Sequence, residues 1–252
     1  MNLNLRGKRA LVTGSSRGIG RCIALSLADC GVDVAINYLR NRTRAEETAA
    51  EIRERGVRCL VLKGNVAKPE HVEGIFTSIA DEWGGLEILV SNAASGVLRP
   101  AKELTLRHFD WAMHINAAAL LPLIQNFSKI DGDGEKALVA VSSLGAIRAI
   151  PNYTAVGASK AALESMVRHL AAEFASENIR VNAVSAGTVD TYALKHFPNR
   201  EEMLKSSRER TPAGRLVEPI DVANTTIFLC TKYASMIHGQ TIVVDGGYSI
   251  LG

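Results

Sequence analysis

A tyrosine and a lysine lie seven positions apart in PNYTAVGASK, residues 151–160. A tyrosine hydroxyl donates a hydrogen bond or a proton to an oxygen that gains negative charge, and an ammonium group stabilises that charge. Seven helical residues turn about −20° from alignment and rise about 10.5 Å, so Tyr153 and Lys160 would share one helix face. Pro151 favours a helix that starts near Tyr153, so the phenol is expected to project from the helix entry. Gly157 would leave room beside it.

The turn TGSSRGIG, residues 13–20, follows the first apolar strand and opens a helix. Glycine lets the backbone approach a pyrophosphate, and a helix N-terminus offers N–H groups with partial positive charge. A glycine triplet also fits an ordinary tight turn, but its place inside a βαβ unit favours dinucleotide binding. The predicted contacts with the dinucleotide are Gly14, Ser16, Arg17, Gly18, Ile19 and Gly20.

The end of the second strand reads NYLRNR, residues 37–42, and contains no acid. Enzymes that use NAD usually carry an acid here for the ribose hydroxyls, whereas a guanidinium suits the 2′-phosphate of NADP. Arg40 and Arg17 are placed to meet that phosphate, although arginines at this position also fit a solvated helix start. We predict that the cofactor is NADPH, with Tyr38 and Arg40 among its contacts.

Two further strand ends are candidates for cofactor contacts. Asn65 and Val66 close the third strand, where an amide and an apolar side chain would cover the adenine. Asn92, Ala93 and Ala94 close the fourth strand, where small residues would let the cofactor lie across the sheet edge. Either segment also fits an ordinary turn from a strand into a loop.

Short β-branched runs alternate with segments of helical period, and this predicts a βαβ arrangement. Runs that are apolar almost throughout fit strands covered on both faces, as in a parallel sheet. We predict an α/β, three-layer, doubly wound Rossmann fold whose seven strands are 9–14, 33–38, 58–66, 86–94, 137–143, 179–187 and 240–247. The helices are predicted near 18–30, 43–55, 69–83, 103–128, 154–176, 201–209 and 219–231.

The chain is predicted to form one catalytic domain over residues 1–252, without repeats or linkers. Residues 188–215 are a long polar insertion after a strand, where a substrate lid would lie, although a plain loop also fits. The net charge of +3 is too small to indicate nucleic-acid binding. No CxxC or HExxH pattern indicates a metal site, no apolar run is long enough for a membrane helix, and the N-terminus lacks a signal peptide, so we expect a cytoplasmic protein.

Over essentially its whole length the chain resembles the short-chain dehydrogenase/reductase family. The resemblance rests on TGSSRGIG, on SNAA at 91–94, on Asn116, Ser142, Ser143 and Lys160, and on AGTVDT at 186–191. It implies that Lys160 holds the nicotinamide ribose and that Gly187, Val189 and Thr191 also contact the cofactor. It further implies that Ser143 and Asn116 support the site and a proton-relay water, although each also fits a satisfied polar residue.

The tyrosine usual in this family would fall at position 156, where the chain has Val156. Tyr153 is the nearest substitute, and residues 149–164 resemble enoyl-acyl carrier protein reductases, which place six residues between tyrosine and lysine. The runs AASGVLRP and TYALKHFPNREE resemble the bacterial type III enzymes that use NADPH. In enoyl thioester reduction the hydride reaches C3 while charge develops on the thioester oxygen. The donor must therefore stand farther from the hydride path than in ketone reduction.

The resemblance thus implies NADPH-dependent reduction of the C2–C3 double bond of enoyl-acyl carrier protein thioesters in fatty-acid biosynthesis. Tyr153 would stabilise the enolate, and the charge of Lys160 would favour both the enolate and the phenolate form of Tyr153. A homotetramer is also implied. Basic residues near the predicted lid, such as Lys195, Arg200 and Arg208, would dock an acidic carrier, although a solvated face fits equally well. Reduction of 3-oxoacyl thioesters or other carbonyls, and NADPH sensing without turnover, remain as alternatives.

Overall fold

The computed structural model describes residues 5–190 and 200–251. Seven strands form one parallel sheet in the order β3-β2-β1-β4-β5-β6-β7. Because the order reverses between β1 and β4, a crevice opens at the carboxyl ends of these strands. The strands are β1 (Arg9–Val12), β2 (Asp33–Tyr38), β3 (Cys59–Lys63), β4 (Ile88–Ser91), β5 (Lys136–Ser143), β6 (Ile179–Ala186) and β7 (Thr241–Val244). The predicted fold class and all seven strands are confirmed, although most strands are shorter than predicted.

The helices also follow the predicted alternation. They are α1 (Gly18–Asp29), α2 (Arg42–Glu54), α3 (Pro69–Trp83), α4 (Leu106–Met113), α5 (Leu120–Lys129), α6 (Thr154–Phe174), α7 (Arg200–Glu209) and α8 (Pro219–Cys230). The helical stretch predicted near 103–128 is present from Leu106 to Lys129, and a π-helical segment at His114–Ala118 lies between α4 and α5. Such segments are frequent at functional sites.

Each face of the sheet carries its own hydrophobic core. Successive residues of a strand point to opposite faces, so Leu11 packs in one core while Val12 packs in the other. The core that contains Val12 joins the sheet to α1, α2 and α8, and the core that contains Leu11 joins it to α3, α5 and α6. Burial on both faces is the physical reason for the almost uninterrupted apolar runs.

The described part of the chain has two further features that bear on its chemistry and its setting. The cysteines Cys22, Cys30, Cys59 and Cys230 are free thiols. None of the helices described in residues 5–190 and 200–251 combines the length and apolar character needed to cross a bilayer. Within the predicted lid, residues 191–199 lie outside the described residues, and α7 follows them.

Phe127 tests the core between α5 and the sheet. It is fully buried, so Phe127→Ala should lower the free energy of unfolding by about 3–5 kcal/mol through lost burial and the cavity left behind. Gln125→Ala, at an exposed position of the same helix, should change it by no more than about 0.5 kcal/mol. Urea unfolding of both variants measures the difference, and equal stabilities would contradict this description of the core.

Candidate active site

A cavity of about 1780 Å³ opens along the carboxyl ends of the strands. The turn after β1, the ends of β2, β4, β5 and β6, and the start of α6 all contribute to its wall. Pockets for one small ligand commonly enclose roughly 300–1,000 Å³. The volume is therefore sufficient for a dinucleotide together with a second molecule.

The glycine turn between β1 and α1 is packed too closely for larger residues. Gly14 has a φ of +63°, and a Cβ there would lie 2.8 Å from Cα of Ala93. A Cβ on Gly20 would lie 2.7 Å from the carbonyl oxygen of Gly14. At the start of α1, Arg17 makes no side-chain capping hydrogen bond, and the first turn carries no acid. The geometry therefore fits a pyrophosphate at the helix N-terminus.

All six residues predicted from the glycine turn line the wall of the cavity. They are Gly14, Ser16, Arg17, Gly18, Ile19 and Gly20. The intervening Ser15 is fully buried, and its Oγ donates a 2.7 Å hydrogen bond to the carbonyl oxygen of Val12. The turn thus exposes one set of residues to the cavity and uses the other to fix itself to the sheet.

The end of β2 presents arginines to the cavity. Tyr38 and Arg40 line it as predicted, together with Arg17 from the glycine turn and Arg44 from α2. Arg42 does not line it, and its guanidinium lies 3.4 Å from Glu46. This separates the arginines that face the cofactor region from the one that belongs to the helix surface.

The neighbouring Asn37 has a structural task. Its side chain accepts a hydrogen bond from the Gly14 N–H and donates to the carbonyl oxygens of Leu62 and Gly64. Both N–H donors of the amide are therefore committed to β3 and the loop that follows it. Among the described lining residues the one acid is Glu202, which lies on α7 rather than near β2.

The residues predicted to cover the adenine and to close the fourth strand all line the cavity. Their side chains differ in how many polar groups are already used in hydrogen bonds within the protein. Val66 packs against Ile115 and Ala93, which gives an apolar wall. Asn65 also lines the cavity, and its Oδ1 accepts a hydrogen bond from the Ala67 N–H. Ala94 lies beside them in the wall.

Asn92 holds the glycine turn in place. Its Nδ2 donates to the carbonyl oxygens of Thr13 and Gly14 at 2.9 and 3.1 Å. Thr13 Oγ1 in turn accepts from the backbone N–H groups of Asn92 and Ala93. The amide therefore fixes the turn that approaches the pyrophosphate and has no N–H left for a cofactor.

Tyr153 stands just before α6, as expected from Pro151. Asn152 adopts a left-handed backbone with a φ of +62°, and the ring of Tyr153 then packs against Gly145. The Tyr153 hydroxyl donates a 3.3 Å hydrogen bond to Ser143 Oγ at the end of β5. Burial raises the pKa of Tyr153, and the hydrogen bond with Ser143 opposes part of that rise. The phenol is therefore a hydrogen-bond donor in this structure, and the expectation that the charge of Lys160 favours the phenolate stays a prediction.

Lys160 is buried on the same side of α6. Its Nζ donates a 2.7 Å hydrogen bond to the carbonyl oxygen of Val141, two residues before Ser143. Burial lowers the pKa of Lys160 to about 8, while the charge of Glu164 acts to raise it. Lys160 and Tyr153 both line the cavity, so the structure brings the predicted pair together around the end of β5.

Gly157 and Val156 explain the space around this pair. A Cβ on Gly157 would lie 2.7 Å from the carbonyl oxygen of Gly145, so this glycine makes room for the backbone rather than for a ligand. Val156 is buried, and its Cγ2 fills the space where a Cβ on Gly96 would stand. The side chain of Val156 therefore packs against the loop that follows β4.

Asn116 sits in the π-helical segment with its side chain fully engaged. Its Oδ1 accepts from the Ser95 N–H at 2.8 Å, and its Nδ2 donates to the Ser95 carbonyl oxygen and to Ser159 Oγ. Both N–H donors are used, so the side chain fastens the loop after β4 to α6. The structure thus provides the satisfied polar residue that the sequence allowed.

The end of β6 supplies the remaining predicted residues. Gly187 and Val189 line the cavity, and a Cβ on Gly187 would lie 2.9 Å from the Cβ of Asp245. Val189 forms an isolated parallel bridge with Val217. Thr191 lies outside the described residues.

Sequence reasoning missed three contributors to this site. Arg44 lies within the helix predicted near 43–55 and is not singled out there, although Asn41 caps α2 and fixes the orientation of its first turn. Gly145 was not singled out, because nothing in the sequence shows that a ring from residue 153 returns to it. Glu164 lies one turn beyond Lys160, and this spacing was the available signal.

Comparisons with known proteins agree with this geometry. A family model described as "Enoyl-(Acyl carrier protein) reductase" matches residues 14–249. The 1-cyclohexenylcarbonyl-CoA reductase of Streptomyces collinus is 39% identical over 98% of this chain and 88% of its own. The NADH-dependent enoyl-acyl carrier protein reductase FabI of Nostoc sp. is 36% identical over 99% of both chains. Reductases with other substrates in their names also match, among them hydroxynaphthalene reductase-like proteins.

A solved structure of an enzyme with a similar name has the same fold over almost its whole length. The enoyl-acyl carrier protein reductase (NADH) of Aquifex aeolicus superposes with a TM-score of 0.91 at 31% identity, over 98% of each chain. The similarity therefore extends over the sheet, the glycine turn and the Tyr153 segment together.

Gly145 provides a test of how Tyr153 is positioned. In Gly145→Ala the new methyl group would stand 2.5 Å from Cδ1 of Tyr153, so the ring must move. A displacement of this size should lower kcat by about tenfold or more, with little effect on folding or cofactor affinity. Gly74→Ala, on α3 with no atom near its added methyl group, is the matched control and should keep wild-type kcat. Unchanged turnover in Gly145→Ala would contradict this placement of the ring.

Proposed function

The chain belongs to the short-chain dehydrogenase/reductase family, and on this premise we propose that it uses NADPH to reduce the C2–C3 double bond of enoyl-acyl carrier protein thioesters. Family membership makes it an oxidoreductase with a nicotinamide cofactor. The enoyl substrate, the preference for NADPH and a role in cytoplasmic fatty-acid synthesis are our proposal. Within the enoyl reductases we assign it to the bacterial type III enzymes, on the motifs noted in the sequence.

The observation that carries the proposal is that Tyr153, and not Val156, lines the cavity. Val156 is buried against Gly96, while Tyr153 lines the cavity from the helix entry and its hydroxyl bonds to Ser143. A donor displaced in this way suits a substrate whose negative charge develops away from the carbon that receives hydride. A ketone requires its donor at the oxygen attached to that same carbon.

The residues of the chain divide the chemistry between them. The bound cofactor supplies hydride, and Tyr153 donates a hydrogen bond to the thioester oxygen as it gains charge. One such donor contributes about 3–4 kcal/mol of transition-state stabilisation. Because its pKa is raised, Tyr153 keeps its proton and acts as a donor throughout the neutral range.

Lys160 acts from the inner wall of the site. As an ammonium group it would hold the ribose hydroxyls and favour the developing enolate. Ser143 accepts the Tyr153 hydrogen bond in this structure and keeps the phenol oriented towards the cavity. We propose that Asn116 acts by holding the loop after β4, because its amide is fully engaged.

The arginines at the end of β2 support NADPH. Arg17, Arg40 and Arg44 line the cavity where the adenosine ribose would lie, and no described acid lines that end. Guanidinium groups bind phosphate through paired hydrogen bonds, which suits a 2′-phosphate. The relatives from Nostoc and Aquifex are named for NADH, so our proposal departs from them on this point.

We also propose that an acyl carrier protein carries the substrate and that the protein forms a homotetramer. The surface charges near the predicted lid would affect how strongly the carrier binds. Arg200 pairs with Asp190 at 2.6 Å, and Arg215 pairs with Asp221 at the same distance. These pairs reduce the positive charge expected near the predicted lid. Lys195 lies outside the described residues. A coenzyme A thioester is therefore the substrate form to compare with a carrier-bound one.

Two thioester substrates distinguish the proposed activity from its alternatives. We expect NADPH oxidation with a crotonyl thioester and little with an acetoacetyl thioester. Tyr153→Phe should lower kcat with the crotonyl thioester by about 100-fold, because an oxyanion donor is lost. Lys160→Ala should lower kcat and raise the KM for NADPH. Faster turnover of the acetoacetyl thioester would favour carbonyl reduction, and binding without turnover would favour a sensor.

Arg40 tests the choice of cofactor. Arg40→Glu should raise the KM for NADPH by about 10- to 100-fold, because a charge-assisted hydrogen bond to the 2′-phosphate is worth about 1.5–3 kcal/mol. The KM for NADH should change little. Arg42→Glu makes the same charge change two positions away, outside the cavity wall, and should leave both values near wild type. Equal effects of the two variants on NADPH would contradict direct recognition by Arg40.

A further inference from the structure

Three consecutive residues of β5 each bind one side chain from the α6 region. The carbonyl oxygen of Val141 accepts from Lys160, and Ser143 Oγ accepts from Tyr153. Between them, Ser142 Oγ donates a 2.5 Å hydrogen bond to Oε1 of Glu164. The end of β5 therefore connects the two proposed site residues with a third group that the proposed chemistry does not use.

Glu164 lies in a region that is almost completely shielded from solvent. Its side chain is 8% exposed, and Ser142 and Lys160 are 3% and 6% exposed. A buried carboxylate or ammonium group loses hydration and requires a partner charge or several hydrogen bonds. Helical spacing places Glu164 one turn beyond Lys160 on the same face, so the two charges share one desolvated region.

The surroundings of Lys160 offer few other charges. β5 presents a carbonyl oxygen and two hydroxyl groups, and the start of α6 presents the neutral phenol of Tyr153. Among the described groups, Glu164 is the one whose charge raises the pKa of Lys160 and so favours its ammonium form. Burial acts in the opposite direction and has the larger effect.

We propose that Glu164 is a positioning residue which, held by Ser142, keeps Lys160 protonated and thereby sets the upper pH limit of cofactor binding and turnover. The inference rests on the proposed role of Lys160 at the cofactor and does not depend on which thioester or ketone is reduced. The hydrogen bond to Ser142 orients the carboxylate, and the carboxylate supplies the charge.

The sign of the effect follows from the charges. Lys160 is an ammonium group below its pKa and loses its charge as pH rises through it. Removing the negative charge of Glu164 removes a stabilising influence on the ammonium form. The pH at which Lys160 loses its proton must therefore move down.

The test measures the dissociation constant of NADPH by fluorescence between about pH 6 and pH 10, a range that spans lysine titration. In the wild type, binding should weaken above a midpoint that is absent in Lys160→Ala. Glu164→Gln keeps the size and hydrogen-bonding capacity of the side chain, and should lower the midpoint by about one pH unit, the shift that about 1.4 kcal/mol of charge interaction gives. An unchanged midpoint in Glu164→Gln would overturn the proposal. The same weakening of NADPH binding at high pH in Lys160→Ala would also overturn it.

Two matched variants separate charge from packing. Ser142→Ala removes the hydrogen bond and keeps the carboxylate, so its midpoint should move by less than half as much. Glu164→Asp keeps the charge and should remain close to wild type, even if Glu164→Gln proves too unstable to purify. A midpoint that moves equally in Glu164→Asp and Glu164→Gln would assign the effect to packing and overturn the proposal.

Binding and turnover distinguish this inference from the proposed function. If NADPH binding shows the predicted shift but the crotonyl thioester is not reduced, the enoyl reductase proposal fails and the role of Glu164 stands. If the thioester is reduced with the same pH limit in wild type and Glu164→Gln, the role of Glu164 fails and the proposed function stands.

Discussion

The cost of burying charge and hydroxyl groups at the end of β5 constrains the whole site. Lys160 cannot be left without partners there, so its ammonium group bonds to the backbone of Val141 and lies near the carboxylate of Glu164. These contacts fix the position of α6 along β5. The sheet is buried on both faces, and it provides the rigid support that this fixed position requires.

The other half of the cavity depends on close approach rather than on charge. Gly14 and Gly20 leave no space for a side chain, and the amide of Asn92 fills the gap between β1 and β4. The same hydrogen bonds that fix the turn use up the donors of Asn92. The side-chain amide of Asn92 thus holds the backbone that would approach the cofactor.

The position of the phenol follows from local packing. Asn152 takes the left-handed conformation, Gly145 leaves room for the ring, and Val156 fills the space near Gly96. A donor that enters from the helix entry has a different reach from one on the helix itself. This is the physical link between the sequence spacing and the proposed substrate, whose charge would develop on a remote oxygen.

The sequence by itself determined the sheet, the glycine turn and the pairing of Tyr153 with Lys160, because each depends on local patterns. Alternation of apolar strands and helices has a short range, and so has the close packing of a strand-to-helix turn. The tertiary structure decided that a π-helical segment lies between α4 and α5 and that Arg44 lines the cavity while Arg42 does not. It also decided that the side-chain amides of Asn37, Asn92 and Asn116 are used in hydrogen bonds within the protein. It further decided how deeply Tyr153 and Lys160 are buried and which groups their side chains bond to. Desolvation and hydrogen-bond partners come from residues distant in the chain, and only folding brings them together.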